Sequence, residues 1–318
     1  VEGRARIVED TSAGGWIGDS LRYSFADGDD DAIGSHLGEY AWEMYSADGL
    51  DAWEIGRGDE GAGGPFRIRL DLSGASTSYA TGAEASSSLN PLVVLTWLPQ
   101  PVTLLPSEGG GALDTREHPL AVPRHRAELV VRIAAADGYQ LQELPGSRTV
   151  RCGPALVEET YTILEGGTVE ANYVIDTGEG VLTPAEAEDL RRAVNDLEMR
   201  APIPLIFHQE GEVHLAHGRI AEAIAAYDAL IETYPEEGLY RSLRGAAMLP
   251  ASFGEAARAE ARRAVDMDPE SPSAWRYLAY VLMHDIYGRE LQWPFDRSGA
   301  IEALERTPRG LASRDVRN

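Results

Sequence analysis

Three pairs of residues set 34 apart constrain this chain more than any other feature: Gly211 and Gly245, Ala223 and Ala257, Pro235 and Pro269. Glycine and alanine let two helices approach closely, and a proline following a helix prevents its continuation. One more step of the same length puts Ala279 at the small position, with Trp275 as the large aromatic near the start of its unit. A fixed period of this size marks a stack of helical pairs, each burying its apolar face against its neighbours.

The segment His217-Gly218-Arg219-Ile220-Ala221-Glu222-Ala223-Ile224-Ala225-Ala226-Tyr227 resembles the turn and second helix of a tetratricopeptide repeat. In the second unit Pro250 cuts the first helix short, and in the third the stretch Leu291 to Ser298 interrupts the register before Ala300-Ile301-Glu302-Ala303-Leu304 resumes it. The resemblance implies repeats over residues 204–310, with a concave surface built from the first helix of each unit. Its groove positions fall on His208, Glu212 and Leu215, then Ser242 and Ala246, then Arg276, Tyr280, Met283 and His284. A protein or peptide partner is the expected occupant. The competing expectation is that the chain's own flanking helix or β-region closes the groove.

A chain of 318 residues has room for two or three domains. Ahead of the repeats, Phe66, Ile68, Leu70 and Leu72 alternate with Arg67, Arg69 and Asp71, as in a half-buried strand. Leu21, Tyr23 and Phe25 suggest a shorter strand. Asp29 to Asp31 cap a helix whose apolar face is Ile33, Leu37, Tyr40 and Met44. These define a mixed, β-rich domain over residues 1–105, with a glycine-rich loop from Gly56 to Gly64 and a linker over 106–116.

Residues 117–180 carry alternating strands at Leu129–Ile133, Tyr161–Ile163 and Val169–Ile175, with turn signals at Asp137-Gly138, Pro145-Gly146 and Gly166-Gly167. That pattern predicts a small β-sandwich. Thr183, Pro184 and Glu186 form a capping box that opens a connecting helix over 183–203, and everything beyond it reads as helical. A tail follows at 311–318. The expected fold class is therefore α+β and multidomain: a β-rich N-terminal domain, a β-sandwich and an α-helical repeat array.

With 28 basic against 52 acidic residues, the net charge of −24 disfavours nucleic acid, whose phosphates would meet a repulsive field. An anionic membrane surface is disfavoured likewise. No apolar run reaches the length of a membrane span; Leu92-Val93-Val94-Leu95 is only strand-length. Every basic residue is arginine, so lysine-based Schiff-base or P-loop chemistry is excluded.

The single cysteine, Cys152, rules out an internal disulfide and a multi-cysteine zinc site. As a nucleophile it would need a lowered pKa and a base brought near by folding, which makes a cysteine-dependent hydrolase or acyltransferase the alternative function. His214 and His217 share a helix face near His208 and Glu212, a weak metal pattern without His-Glu-x-x-His. Asp27, Asp29, Asp30 and Asp31 lack the spacing of a calcium loop. No nucleophile elbow, P-loop or dinucleotide fingerprint occurs, and no metal or cofactor is expected.

The segment Arg116-Glu117-His118-Pro119-Leu120, the pairs Gly138-Tyr139 and Leu144-Pro145, then the repeats with His284-Asp285-Ile286-Tyr287-Gly288-Arg289 and Phe295-Asp296-Arg297, resemble the C-terminal part of bacterial transglutaminase-like proteins. The resemblance runs from about Leu105 to Gly310. It implies an accessory, non-catalytic half of such a protein, periplasmic or extracellular, with the papain-like catalytic core upstream of Val1. No Gly-Asp-Cys motif occurs, so no catalytic residue is transferred.

Overall fold

The computed structural model describes residues 3–26, 28–56, 64–80, 84–95, 98 and 117–307. The linker at 106–116, most of the loop between Gly56 and Gly64, Asp27, Arg116 and the tail at 311–318 lie outside the described residues.

The chain opens with strand β1 (Gly3–Ala13), followed by helices α1 (Gly15–Ser24) and α2 (Asp30–Tyr45). Leu21 and Tyr23 therefore sit on a helix rather than the expected strand, and Phe25 caps its C-terminus. Leu21 and Phe25 are one helical turn apart and face inward, whereas Tyr23 between them is 84% exposed; three alternating residues are too few to separate the two periods. Helix α2 follows expectation. Asp29 accepts a hydrogen bond from the Ala32 amide at 2.8 Å, and Ile33, Leu37 and Ala41 are buried.

Strands β2 (Gly49–Gly56) and β1 flank β3 (Phe66–Ala80), whose Phe66, Ile68, Leu70 and Leu72 are buried against α2 as the alternation predicts. Gly74, at φ 68°, gives β3 a left-handed residue mid-strand. Its first half pairs with β2 and its last residues with β4 (Glu84–Leu89), which curls the sheet. The stretch Leu92–Leu95 is one helical turn.

Between 117 and 182 come β5 (Leu120–Ala121), β6 (Arg126–Ile133), β7 (Tyr139–Leu141), β8 (Arg148–Cys152), β9 (Ala155–Ile163), β10 (Val169–Asp176) and β11 (Val181–Leu182). Four of them form an antiparallel sheet in the order β6-β10-β9-β8. Val157, Tyr161, Ala171, Tyr173 and Ile175 turn one face of this sheet into core. Over it lies α3 (Pro184–Arg200), packed through Leu190, Val194 and Leu197. Both halves of the capping box form: the Glu186 amide donates to the Thr183 hydroxyl, and the Thr183 amide to the Glu186 carboxylate.

The chain after α3 is not yet helical. Ile203–Gln209 is strand β12, which pairs with β4 on one side and β7 on the other, giving the first sheet the order β1-β3-β4-β12-β7. Leu205, Phe207 and Gln209 point inward, and Leu205 and Phe207 join the core under the second sheet. The first sheet is thus completed by β12, which lies more than a hundred residues beyond β4, and by β7 from the intervening region.

Helices α4 (Glu210–Ala216), α5 (Ile220–Thr233), α6 (Gly238–Met248), α7 (Gly254–Met267), α8 (Pro272–Leu282) and α9 (Arg297–Glu305) follow. Two cores fill the array. One gathers Tyr227, Leu230, Tyr240 and Leu243, the other Ala257, Ala261, Ala264, Leu278, Ala279 and Ala303.

Candidate interaction surface

The register of 34 has direct steric causes. A Cβ built on Gly211 would lie 2.3 Å from Cζ of Tyr227, so only glycine lets α4 sit against α5. Gly245 packs on the α7 backbone, with 3.0 Å from an added Cβ to the Ala257 carbonyl oxygen. Ala223, Ala257 and Ala279 are fully buried at the matching joints. Arg244 on α6 ties neighbouring units together, pairing with Asp228 on α5 and, at 2.8 Å, with Glu260 on α7.

Along the concave register, Glu212 on α4 accepts a hydrogen bond from the Tyr227 hydroxyl at 2.9 Å. Burial drives the Tyr227 phenol well above its usual range, and the Glu212 charge adds to this, so the phenol stays a donor. Leu215 packs at the edge of the first helical core. On α6, Ser242 is fully buried with its hydroxyl unpartnered, and Ala246 is half-buried. Ser242 therefore lies within the helical packing, and Ala246 is the more accessible of the two.

Helix α8 is more open. Tyr280 is 42% exposed, its ring 4.8 Å from that of His284 at a steep angle. Burial pushes the Tyr280 phenol up, with the charges of Glu290 and Glu212 acting in the same direction. Arg276 is exposed, and its guanidinium lies 6.0 Å from the centre of the Tyr277 ring. Met283 is half-buried against the second helical core. His284 is buried and donates from Nδ1–H to the Tyr280 carbonyl at 2.8 Å, since a carbonyl can only accept.

His208 does not share this face. It lies on β12, opposite Glu84 of β4 and Gln140 of β7, so its expected place on a first repeat helix is corrected. The reason is local: the run Ile203-Pro204-Leu205-Ile206-Phe207 favours an extended chain, and α4 starts only when Gln209 caps the Gly211 amide at 2.6 Å.

Just ahead of the interruption expected at Leu291 to Ser298, the chain forms a built loop at Asp285 to Arg289. The fully buried Asp285 carboxylate accepts from the Tyr287 and Arg289 amides, both at 2.9 Å, and from the Arg289 guanidinium. Burial alone would raise its pKa; the hydrogen bonds from Arg289 and Tyr287 outweigh that and hold it below the usual carboxylate range. The Gly254 amide donates to the Ile286 carbonyl, and Gly288 at φ 73° leaves no space for a Cβ beside Leu249.

Cys152 ends β8 inside the core at 1% exposure. Burial pushes its thiol up, Asp189 and Glu186 add to this and Arg192 opposes it, the reverse of what an activated nucleophile needs. His214 lies 3.6 Å from Glu210, and His217 bonds the Val213 carbonyl. Among the described residues, no group of three or more metal-binding side chains converges, and no helix is long and apolar enough to cross a membrane.

In comparison with known proteins, a tetratricopeptide-repeat family model matches residues 208–249 and 251–285. No curated protein matches the chain, and no solved structure does. The matched residues take in α4 to α8 and stop before the Asp285 loop is complete. Tetratricopeptide repeats generally mediate contacts between proteins, and residues 208–285 of this chain are such repeats.

Proposed function

We propose that this chain is a non-catalytic protein-binding module, with a partner's peptide held along the concave face formed by α4, α6 and α8. The observation that carries the reading is the repeat match together with an aromatic and cationic pair, Tyr280 and Arg276, left exposed on α8. Tyrosine and arginine are the side chains that most often anchor interfaces, and an extended peptide laid across parallel helices meets both. Glu212, Leu215, Ala246 and Met283 line the rest of the path, with Ser242 and His284 as its buried supports.

The experiment is a paired substitution, Arg276→Glu with Tyr280→Ala. Partner co-purification falls while the melting temperature stays near the parent's, because both side chains are exposed. Undiminished co-purification contradicts the reading.

The finer proposal is that the module is the accessory half of a transglutaminase-like protein acting outside the cytoplasm. Its support is the motif resemblance from Leu105 to Gly310 alone. Sequencing the natural coding frame tests it: a papain-like core upstream of Val1 is the expected result, and a frame without one contradicts it.

A further inference from the structure

Two carboxylates whose charges reach Tyr280, those of Glu212 and Glu290, have no cation of their own. Among the described residues neither makes an ion pair, and Glu212 accepts a hydrogen bond from the Tyr227 hydroxyl at 2.9 Å. Other carboxylates of the array are paired: Asp228 and Glu260 with Arg244, Asp285 with Arg289, Glu302 with Arg306.

The fold itself keeps these two charges uncompensated. Glu212 and Tyr280 occupy the same position of the repeat, two periods of 34 apart, with the short side chain of Ala246 at that position on α6 between them. Glu290, which is exposed, arrives through the Asp285 loop. Its backbone bridges that of His284, and the Leu291 amide donates to the Met283 carbonyl at 2.8 Å. Arg289, its neighbour in the chain, is spent on the buried Asp285 carboxylate at 2.6 Å, and Arg258 donates to the His284 carbonyl. The Tyr280 ring is 42% exposed and rests 4.8 Å from that of His284, which its own bond to the Tyr280 carbonyl holds in place. Both charges that act on this phenol are negative.

We propose, on the strength of the groove reading above, that the partner's segment is recognised through a basic side chain, an arginine or lysine, whose cation sits against the Tyr280 ring and the Glu212 and Glu290 carboxylates. The ring attracts a cation through its quadrupole, and the two carboxylates add charge-assisted hydrogen bonds. Covering the site with the bound segment removes water and strengthens both attractions. An acidic segment, or a terminal carboxylate, would meet two uncompensated negative charges at the same place. Arg276, one turn earlier on α8, then serves a carbonyl or carboxylate elsewhere on the segment.

The test is a nuclear magnetic resonance titration of the full chain, labelled in its tyrosine rings, with N-acetyl-arginine methylamide. The control is the citrulline analogue, which has the same shape and no charge, and Tyr280→Phe identifies the Tyr280 signal by its loss. The Tyr280 signal shifts saturably with the arginine probe and binds the citrulline analogue about fivefold more weakly. Glu290→Gln, at an exposed side chain, weakens the arginine probe about threefold without lowering the melting temperature. Glu232→Gln, at an exposed carboxylate on α5, leaves it unchanged. The proposal is overturned if the shift does not saturate, if citrulline binds equally well, or if Glu290→Gln has no effect. It is also overturned if Glu232→Gln weakens the probe as much, since that would be the general attraction of an acidic chain. Any of these results, found while the Arg276→Glu, Tyr280→Ala pair still abolishes co-purification, overturns the cation site and leaves the groove reading standing. Probe binding as expected with undiminished co-purification contradicts the groove reading, and with it the assignment of this site to a partner.

Discussion

Gly138 lies against Leu230. A Cβ added to Gly138 would stand 2.7 Å from Leu230 Cδ1, and the glycine's φ of 82° is one that side chains rarely adopt. The turn leading into β7 therefore docks on α5, the second helix of the first repeat. Two bonds flank the contact: the Glu210 amide donates to the Gly138 carbonyl at 2.6 Å, and the Tyr234 hydroxyl donates to the Asp137 carboxylate. Sheet and repeats are joined here through packed backbone rather than through a linker.

Gly138→Ala is expected to cost about 2–4 kcal/mol, from backbone strain added to overpacking against Leu230. Because the contact joins both regions, far-ultraviolet and near-ultraviolet dichroism should report one shared, lowered melting transition. Loss of the helical signal at unchanged sheet stability would contradict this.

Within the array, Gly211→Ala forces a methyl into the Tyr227 ring and should cost about 2–4 kcal/mol in chemical denaturation. Gly218→Ala is the comparison. Its φ of 71° is left-handed, unlike that of the helical Gly211, and nothing lies within 4 Å of an added Cβ, so strain alone, about 1 kcal/mol, is expected. Equal losses at the two sites would contradict the packing account.

The 34-residue register was legible in sequence because it arises from local sterics: a glycine at 211 or 245 is required by the helix it touches. Strand β12 was not legible. Its partner β4 lies more than a hundred residues earlier, and nothing in Ile203 to Gln209 names that partner. For the same reason His208 was assigned to a helix. The acidic N-cap at Asp29 and the capping box at Thr183 were read correctly because each is settled within four residues.

His125 is buried, with Nε2 unpartnered, and burial lowers its pKa below the ordinary histidine value, Asp176 partly opposing. The folded state thus favours the neutral ring and the unfolded chain binds the proton more readily. Its contribution to stability is complete above about pH 6.5 and is lost as pH falls through that value toward the depressed folded pKa. His125→Phe should flatten the dependence of melting temperature on pH between about 7 and 5. An unchanged slope would show that other groups carry it.

The Asp285 loop should depend on its carboxylate. In Asp285→Ala the Arg289 guanidinium and the amides of Tyr287 and Arg289 lose their acceptor, and limited trypsin digestion should cut after Arg289 before other sites. The lysine-free sequence keeps that digest simple, since trypsin then cuts only at arginines. A digestion pattern matching the parent would mean the loop is held mainly by its backbone bonds to Met283 and Gly254.

The central claim is that the concave face of residues 208–285 is where a partner binds. It is tested most directly by placing a photo-crosslinking amino acid at Tyr280 and, in a separate variant, at Arg263 on the exposed side of α7. The account predicts a discrete crosslinked partner from Tyr280 and none from Arg263. Equal capture from both positions, or capture from Arg263 alone, would contradict it.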